Sequence, residues 1–343
     1  MKRTIATALL ITLLLNSVSA IAAEQPAALY TAKTSPDAPL YTVMDKKSKP
    51  EGSIRSGTKI DVLEVHPDWL LVRTDRAEGY IRRKNIDQNS AEPVDSSTTP
   101  AYPAVPNAFL AWIGETAPVM DQPDAGGQEL ITLYPGARVA LIGIENGWGK
   151  LIFKRQYGYI DSRLFSELQM LFPALEDNTD LHAPLAAYTS FYLIDETEVN
   201  IGRMKNLQVS CDKFESIVIQ PGDTFNFNRD LGPYRASNGY FPAIVLLDGK
   251  SVVGYGGGTC QVSSTLYNVV LQLPGLKVAH RRPHGPGGIS YLPLGADAAV
   301  GTETQNFIFK NNYPFPIRID GTAQDGALTL AIFKVSAPIP ERH

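Results

Sequence analysis

The sequence predicts a mostly β, α+β protein, in which two small β-barrels precede a larger domain of mixed α+β structure. The 343 residues include 28 Gly and 25 Pro, a composition that favours many turns and short strands. A set of landmarks in the first half recurs 79 residues later, which indicates a duplicated module. After residue 166 the alternating pattern gives way to helix-compatible runs, and this change predicts an α+β domain over 167–335.

The N-terminus has the pattern of a signal peptide over residues 1–23. Lys2 and Arg3 precede an apolar stretch at 5–15, and Ala20-Ile21-Ala22 offers a cleavage site. The apolar stretch is about 11 residues long, whereas a membrane span needs about 20. We therefore expect export to the periplasm, the cell wall or the medium, with no membrane span after cleavage. An uncleaved N-terminal anchor is the alternative.

Charge and cysteine content limit the classes of function. The formal net charge is −4 and becomes −6 once Lys2 and Arg3 are removed; without a basic run, this argues against nucleic acid as a partner. The two cysteines, Cys211 and Cys260, do not form a disulfide framework. A single disulfide between them is the structural alternative in an oxidising compartment, and it would silence Cys260 as a nucleophile.

The duplicated modules are predicted at 28–90 and 108–166. Each has short strands of alternating hydrophobicity separated by turn residues, which indicates a small all-β barrel. The paired landmarks are Ala38-Pro39 with Ala117-Pro118, Gly57 with Gly136, Trp69 with Trp148, and Gly79-Tyr80-Ile81 with Gly158-Tyr159-Ile160. This order resembles bacterial SH3-like domains, and the resemblance implies wall binding or a spacer role. Trp69 and Trp148 are interpreted either as core residues or as exposed platforms for sugars.

The segment 91–107 separates the two modules and is rich in Pro, Ser and Thr. This composition predicts an extended, semi-flexible linker. At the other end of the chain, 336–343 is expected to be a short tail.

The stretch GYGGGTCQVSSTLYN at 254–268 is the strongest candidate site. Its glycine run at 256–258 permits positive φ and close backbone approach, and the apolar run at 266–273 is compatible with a helix. If a helix starts after the glycines, Cys260 lies at its N-terminus, where the dipole favours a thiolate. The alternative is a buried structural cysteine after an ordinary turn.

The remaining blocks of the last domain resemble the VanW family. A helix is predicted over 200–214, a strand over 217–219 and a turn at Pro221-Gly222-Asp223. The resemblance spans about 187–332. Besides the 254–268 stretch, its blocks are Thr189-Ser190-Phe191, Asn200, Arg203, Asn206, 221–228, Leu231-Gly232-Pro233, Gly239-Tyr240, Pro283-His284, 290–295, Asp297-Ala298 and 311–317.

The resemblance implies a chemistry for this domain. Some VanW-family members are assigned as peptidoglycan L,D-transpeptidases that use the cysteine of the glycine block, which is Cys260 here. The separate Ser-His-Gly-Cys signature of the commoner L,D-transpeptidases is missing. The family often has His-Pro-His, whereas this chain has Arg282-Pro283-His284, so only His284 carries over. Cys211 occupies a helix position where a small residue is expected, so a packing role for Cys211 is favoured over a chemical one.

Three residues are the candidate catalytic group. Cys260 would attack a stem-peptide carbonyl, His284 would transfer protons, and Asp297 would orient His284. Backbone N–H groups around 257–260 would hold the oxyanion. The alternatives are a turn histidine bound to a backbone carbonyl and a capping aspartate.

A second set of residues is expected to bind substrate. Arg203 would bind a carboxylate bidentately, or else pair with an acid such as Glu198; Tyr267 is equally compatible with the core. The full set is Arg203, Asn206, Gly257, Gly258, Thr259, Gln261, Ser263, Ser264, Tyr267 and Tyr291. His280 and His284 have the spacing of a helical metal pair, but Pro283 intervenes and no third ligand is apparent, so no metal or cofactor is expected.

Together these features predict an exported cell-wall protein that acts as a cysteine-dependent peptidoglycan L,D-transpeptidase. Its SH3-like modules would target the wall, and its partners would be stem peptides or glycan. Whether amine or water resolves the acyl-enzyme, giving cross-linking or carboxypeptidase trimming, stays open, and the oligomeric state is not predicted. The alternatives are a non-catalytic envelope protein that binds peptidoglycan or a partner, and a structural assembly factor.

Overall fold

A computed structural model describes residues 27–65, 69–94, 107–172, 183–247, 250–284, 289–293 and 296–335. In these ranges the chain is mostly β-strand with a few helices, as the composition predicted. Within them, no helix has the length and apolarity that crossing a bilayer requires. The predicted signal peptide, the tail and most of the predicted linker (95–106) lie outside the described residues.

The first module forms one five-stranded antiparallel sheet and one hairpin. The sheet has the order β6-β5-β4-β1-β7, and β2 pairs with β3 beside it. Alternate residues of the strands point into a small apolar core, as the period-2 pattern predicted. The strands are β1 (Tyr30–Thr34), β2 (Ala38–Leu40), β3 (Gly52–Ile54), β4 (Lys59–Val65), β5 (Trp69–Arg73), β6 (Glu78–Arg82) and β7 (Ile86–Pro93).

The second module repeats this element order. Its strands form the sheets β10-β9-β14-β13-β12 and β11-β8-β15. A 3-10 turn stands at Arg83–Asn85 in the first module and at Ser162–Leu164 in the second, again 79 residues apart. The strands are β8 (Phe109–Ile113), β9 (Ala117–Met120), β10 (Glu129–Leu133), β11 (Arg138–Leu141), β12 (Gly143–Glu145), β13 (Trp148–Phe153), β14 (Gln156–Asp161) and β15 (Phe165–Met170).

The backbone geometry supports the duplication at its landmarks. Gly57 and Gly136 both have positive φ, 81° and 92°, so each copy places a glycine where other residues are strained. Trp69 is buried, edge-on to Tyr41, whereas Trp148 is partly exposed. The sheets of the described strands are open and do not close into a barrel, so the SH3-like assignment stays a prediction.

The C-terminal domain combines three sheets with three helices. The sheets are β16-β24-β23-β17, β18-β22-β21 and the hairpin β19-β20. Its strands are β16 (Pro184–Phe191), β17 (Val218–Ile219), β18 (Thr224–Asn226), β19 (Pro242–Leu247), β20 (Lys250–Tyr255), β21 (Leu276–Arg281), β22 (Phe307–Asn311), β23 (Ile317–Gln324) and β24 (Ala327–Lys334). The helices are α1 (Glu198–Phe214), α2 (Phe227–Leu231) and α3 (Thr259–Val270).

The two long helices pack on the four-stranded sheet. Every residue of α3 from Gln261 onwards is buried, so this helix runs through the middle of the domain. The predicted helix at 200–214 is confirmed with one extra half-turn, because α1 begins at Glu198. The strand predicted at 217–219 is reduced to the two residues of β17.

The hairpin β19–β20 approaches α1 through a glycine. A Cβ atom added at Gly202 would lie 1.9 Å from the backbone carbonyl oxygen of Pro242. Backbone atoms cannot move aside as a flexible side chain can, so only glycine permits this distance. Because β20 leads directly into the glycine run, this contact fixes where the run begins.

We expect Gly202→Ala to destabilise the domain by about 1–3 kcal/mol, the usual cost of overpacking. The better helix propensity of Ala, about 1 kcal/mol, offsets only part of that cost. Gly143→Ala is the matched control, because no atom lies within 4 Å of a Cβ built there. The measurement is the urea midpoint of unfolding; equal midpoints for the two variants would contradict the close packing.

Candidate active site

The glycine run at 256–258 directly precedes α3 and places Cys260 at the start of this helix. Gly256 and Gly258 have positive φ, 82° and 106°, and Gly258 is the N-cap of the helix. Cys260 is the second residue of α3 and is partly exposed, as the sequence predicted. The N-cap contributes no side-chain hydrogen bond; instead the backbone N–H groups of Thr259 and Gln261 donate to the carbonyl oxygens of Gly256 (3.1 Å) and Gly258 (2.8 Å).

The run is held between α1 and the β19–β20 hairpin. A Cβ at Gly257 would lie 2.4 Å from the Ile244 carbonyl oxygen, and one at Gly258 would lie 3.1 Å from Cγ of Arg203. Asn206 is fully buried; its amide nitrogen donates to the carbonyl oxygens of Phe241 (3.0 Å) and Gly257 (2.9 Å). Asn206, predicted to bind substrate, thus has its amide engaged with the backbone behind the run.

An extended segment, residues 296–300, runs beside α3 and supplies the other wall. The backbone N–H of Val300 donates to Sγ of Cys260 at 3.4 Å, and the Val300 carbonyl oxygen lies 3.4 Å from the same sulfur. Further along, Oγ of Ser264 accepts from the Ala298 N–H at 2.9 Å. This ladder fixes the segment, and with it Asp297, against the cysteine helix.

Asp297 holds His284 in place with two hydrogen bonds. Oδ2 of Asp297 lies 2.7 Å from Nδ1 of His284 and accepts the His284 backbone N–H at 2.6 Å. Arg281 donates through Nε to the Asp297 carbonyl oxygen at 2.6 Å, and its Nη2 lies 3.4 Å from Oδ1. The carboxylate is only 3% exposed, so these partners replace its lost solvation.

The charges of the cluster follow from these contacts. The pKa of His284 rises to about 9, first because of the hydrogen bond to Asp297 and second because of the nearby Cys260 side chain. Burial alone would raise the pKa of Asp297, but the hydrogen bonds from His284 and the charge of Arg281 lower it overall. At neutral pH the imidazole is therefore protonated between a carboxylate and the cysteine. The structure brings the three predicted catalytic residues together.

Arg203 is a partly buried cation beside the glycine run. Its Nη2 donates to Oε1 of Gln261 at 2.5 Å, and Gln261 in turn donates to Oγ of Ser190 at 2.9 Å. Burial lowers the pKa of Arg203. In the described part of the chain no carboxylate forms an ion pair with Arg203, so the alternative pairing with Glu198 is not formed.

Four other predicted substrate-binding residues take different places. Tyr291 is partly buried, and its pKa is raised first by burial and then by the charge of Cys260. Tyr267 packs edge-on against Phe307 in the core. Thr259 donates to the Gly256 carbonyl oxygen at 2.9 Å, and Ser263 is buried with no partner for its hydroxyl among the described residues.

The site also contains two residues that the sequence reasoning missed. The ring of Tyr234 lies against Gly256, and the charge of Cys260 contributes to its raised pKa after burial and Tyr240. Its hydroxyl donates to Oδ1 of Asn228 at 2.9 Å, and the same oxygen accepts the Gly301 N–H at 3.0 Å. Both residues lie in or beside the VanW-like blocks at 221–228 and 231–233, which was the available signal.

The two cysteines occupy different environments. Cys211 is buried in the core, and burial raises its pKa. Both thiols are free, so no disulfide silences Cys260. His280 is an exposed residue of β21, and within the described ranges no three His, Cys, Asp or Glu side chains are grouped as metal ligands.

The fold and the site thus define an α+β domain with a Cys–His–Asp cluster at a glycine-preceded helix N-terminus. Residues 202–333 match the family model described as "VanW like protein". This match confirms the VanW resemblance for residues 202–333.

Two curated relatives match the chain. The uncharacterized protein YoaR of Bacillus subtilis (strain 168) is 29% identical over 180 residues, which cover 52% of this chain and 57% of YoaR. The vancomycin B-type resistance protein VanW of Enterococcus faecalis (strain ATCC 700802 / V583) is 32% identical over 79 residues, 23% of this chain and 28% of that protein. The chain thus spans less than two thirds of either relative.

Solved structures give only distant matches. NlpC2 from Trichomonas vaginalis aligns with a TM-score of 0.16 and 11% identity, covering 41% of this chain and 48% of that chain. An NlpC/P60 family protein from Bacillus cereus ATCC 10987 aligns with a TM-score of 0.17 and 12% identity, covering 90% and 95%. Scores this low do not establish a shared fold.

Proposed function

We propose that this chain is an exported cell-wall protein whose VanW domain is a cysteine-dependent acyltransferase of the peptidoglycan L,D-transpeptidase type. The observation that carries the proposal is the hydrogen-bonded pair of His284 and Asp297, 2.7 Å apart, in the surroundings of Cys260, whose side chain contributes to the raised pKa of His284. A nucleophile, a proton carrier and an orienting carboxylate in this order are what thiol acyl transfer requires. The peptidoglycan substrate rests on the VanW resemblance, and wall targeting by the modules rests on the SH3-like resemblance.

In the first half-reaction the Cys260 thiolate attacks the carbonyl carbon of the peptide bond before the terminal residue of a stem peptide. The new C–S bond and the collapse of the tetrahedral intermediate break the C–N bond. The leaving amine takes the proton held on His284, and a thioester remains on Cys260. With a pKa of about 9, the imidazole holds that proton at neutral pH and donates it to the leaving amine as the C–N bond breaks.

In the second half-reaction an amine of a neighbouring stem attacks the thioester. The imidazole of His284 accepts the proton of that amine, the C–S bond breaks, and the thiolate is restored. Water in place of the amine gives trimming without a cross-link. Both outcomes use the same residues, so product analysis decides between them.

Arg203 is proposed to bind the carboxylate of the substrate. It is a partly buried guanidinium next to the cysteine turn, and its one described hydrogen bond, to Gln261, is to a neutral amide. Its remaining N–H groups suit a carboxylate, which they can bind as a pair. This contact would place the terminal residue of a peptide on the leaving-group side of Cys260.

Differential thiol labelling tests whether Cys260 is activated. We expect iodoacetamide at pH 7 to alkylate Cys260 at least about 100-fold faster than Cys211, because the first is partly exposed at a helix start and the second is buried. Peptide mass spectrometry after timed quenching measures both rates in one sample.

Product analysis completes the test. Incubation of the wild-type chain with purified muropeptides is expected to give cross-linked or shortened stems, together with a thioester mass on the Cys260 peptide. Equal, slow labelling of both thiols and no change in the muropeptides would instead support the alternative, a non-catalytic protein that binds peptidoglycan or another envelope partner.

A further inference from the structure

An exposed turn, residues 301–305, directly follows the segment that contacts the Cys260 sulfur. All five residues of the turn are exposed, and no atom of the described residues lies within 4 Å of a Cβ built at Gly301. Gly301 has a φ of 119°, a conformation that glycine adopts without strain. Side-chain packing therefore does not hold this turn, and hydrogen bonds have to fix it if Val300 is to stay on the sulfur.

The side-chain amide of Asn228 supplies these hydrogen bonds. Its Oδ1 accepts the Gly301 N–H at 3.0 Å, and its Nδ2 donates to the carbonyl oxygens of Thr302 at 2.8 Å and Gln305 at 2.9 Å. The Tyr234 hydroxyl donates to the same Oδ1 at 2.9 Å, so both donors and both acceptor sites of the amide are occupied. One side chain thus binds three backbone groups of the exposed turn.

The Gly301 N–H belongs to the same peptide unit as the Val300 carbonyl. In a trans peptide these two groups point in opposite directions. With the N–H bound to Asn228, the carbonyl oxygen lies on the other side, 3.4 Å from Sγ of Cys260. The Val300 N–H donates to the same sulfur at 3.4 Å. Asn228 is thus one peptide unit away from the nucleophile and acts on it through Val300.

Tyr234 connects Asn228 to the other flank of Cys260. A Cβ atom built at Gly256 would lie 2.6 Å from Cβ of Tyr234, so this residue packs directly on the first glycine of the run. The Gly256 carbonyl oxygen accepts the N–H of Thr259 at 3.1 Å and its hydroxyl at 2.9 Å, and Thr259 directly precedes Cys260. Asn228 therefore joins the two backbone segments that border Cys260.

We propose that Asn228 is a positioning residue that keeps the Cys260 sulfur in one orientation, by holding the Val300 backbone on one side of it and the glycine run on the other. This inference rests on the proposed function, because the orientation of the sulfur matters for attack on a bound carbonyl. Misplacement of a reacting atom by about 1 Å costs about 100-fold in rate. Loss of Asn228 should therefore slow the attack and leave substrate binding unchanged.

The first test separates kcat from KM in the full chain with purified muropeptides. We expect Asn228→Ala to lower kcat about 10-fold, because the Val300 backbone is released, and to keep KM within about twofold. Tyr234→Phe removes one hydrogen bond to the amide and keeps the ring on Gly256, so kcat should fall only about threefold. The double variant should be no slower than Asn228→Ala alone, because the Tyr234 hydroxyl acts through the amide.

Hydrogen exchange at the Val300 amide measures the positioning without turnover. NMR spectra of the chain labelled with 15N-valine contain this amide, and the variant Val300→Ile identifies its signal. We expect exchange at Val300 to be about 10-fold faster in Asn228→Ala and in Cys260→Ala. The first substitution releases the Val300 backbone, and the second removes the sulfur that accepts its N–H.

Asn311→Ala is the matched control for a side-chain amide that only supports the fold. Its Nδ2 donates to the carbonyl oxygens of Ile219 and Phe315, both at 3.0 Å, and its Oδ1 accepts the Tyr313 N–H at 3.0 Å. This side chain is fully buried, so its loss should lower the urea midpoint of unfolding. Both kcat and Val300 exchange should stay near the wild-type values.

The outcomes distinguish this inference from the proposed function. If the wild-type chain converts no muropeptide, the proposed function fails and the positioning role fails with it. If the wild-type chain is active but Asn228→Ala keeps kcat within about twofold, or leaves Val300 exchange unchanged, the positioning role is wrong and the proposed function stands. Equal losses of kcat and of Val300 protection in Asn311→Ala would assign both effects to general destabilisation and would also overturn the inference.

Discussion

Replacing Cys260 with Ala is expected to abolish formation of new muropeptides, with a loss of at least about 10³-fold in turnover. No described neighbour can take over the nucleophilic role: Ser264 is fully buried and its hydroxyl is engaged with the Cys260 carbonyl and the Ala298 N–H. The thioester mass on the 260-containing peptide should disappear with the activity. High-resolution chromatography of muropeptides after incubation with each variant measures the loss.

Cys211→Ala is the matched control for this substitution. Cys211 is the other thiol of the chain and lies in the core of the same domain, where its Sγ would be 2.9 Å from a Cβ atom built at Gly321. Its replacement should lower stability by about 1 kcal/mol and leave turnover unchanged. Activity that survives Cys260→Ala would exclude thioester chemistry and return the domain to the binding alternative.

The position of the nucleophile could be predicted from the sequence because the signal is local. A glycine run followed by an apolar helical pattern fixes Cys260 within two residues of a helix start, whatever the rest of the domain does. Equal spacing of landmarks in the sequence likewise predicts a duplicated module, and the 3-10 turns at Arg83–Asn85 and Ser162–Leu164 keep the same spacing of 79 residues. Strand positions in the two copies agree because both copies have the same alternation of apolar and polar residues.

The local sequence pattern does not predict the long-range contacts, and His284 and Asp297 were grouped with Cys260 only through the VanW resemblance. His284 and Asp297 meet Cys260 only because residues 296–300 lie along α3, and no pattern in that short apolar segment announces hydrogen bonds to Ser264 and Cys260. Similarly, the buried amide of Asn206 looked like a substrate contact, whereas folding uses it to hold the backbone at Gly257.

The union of the second module with the VanW domain was missed for a related reason. Composition predicts a flexible linker before that module, and repeats are usually interpreted as independent units. The Arg138–Asp320 pair joins residues 182 positions apart, and each alone resembles an ordinary surface charge. The Arg138 side chain is only 11% exposed in this pair, and that burial depends on the three-dimensional arrangement of the two domains.

Asp297→Asn is expected to lower turnover by about 10³-fold and to move the alkaline limb of the pH profile to lower pH. The hydrogen bond to Asp297 is the largest cause of the raised pKa of His284, so its weakening returns that pKa from about 9 towards the ordinary value near 6.5. The sign follows from the mechanism. The imidazole must carry its proton to the leaving amine, so activity falls as pH rises through the pKa of His284.

The test compares kcat/KM from pH 5 to 10 for the wild-type chain, Asp297→Asn and a control. Asp230→Asn is the matched control, because Asp230 also accepts a backbone N–H, that of Asn226 at 2.8 Å, and pairs with an arginine, Arg229 at 2.6 Å. It should keep the wild-type profile. If Asp297→Asn lowers turnover at every pH and the alkaline limb of its pH profile does not move, Asp297 only supports the fold. If the alkaline limb of the pH profile moves to lower pH when Asp297 is replaced, the transferred proton is carried by His284.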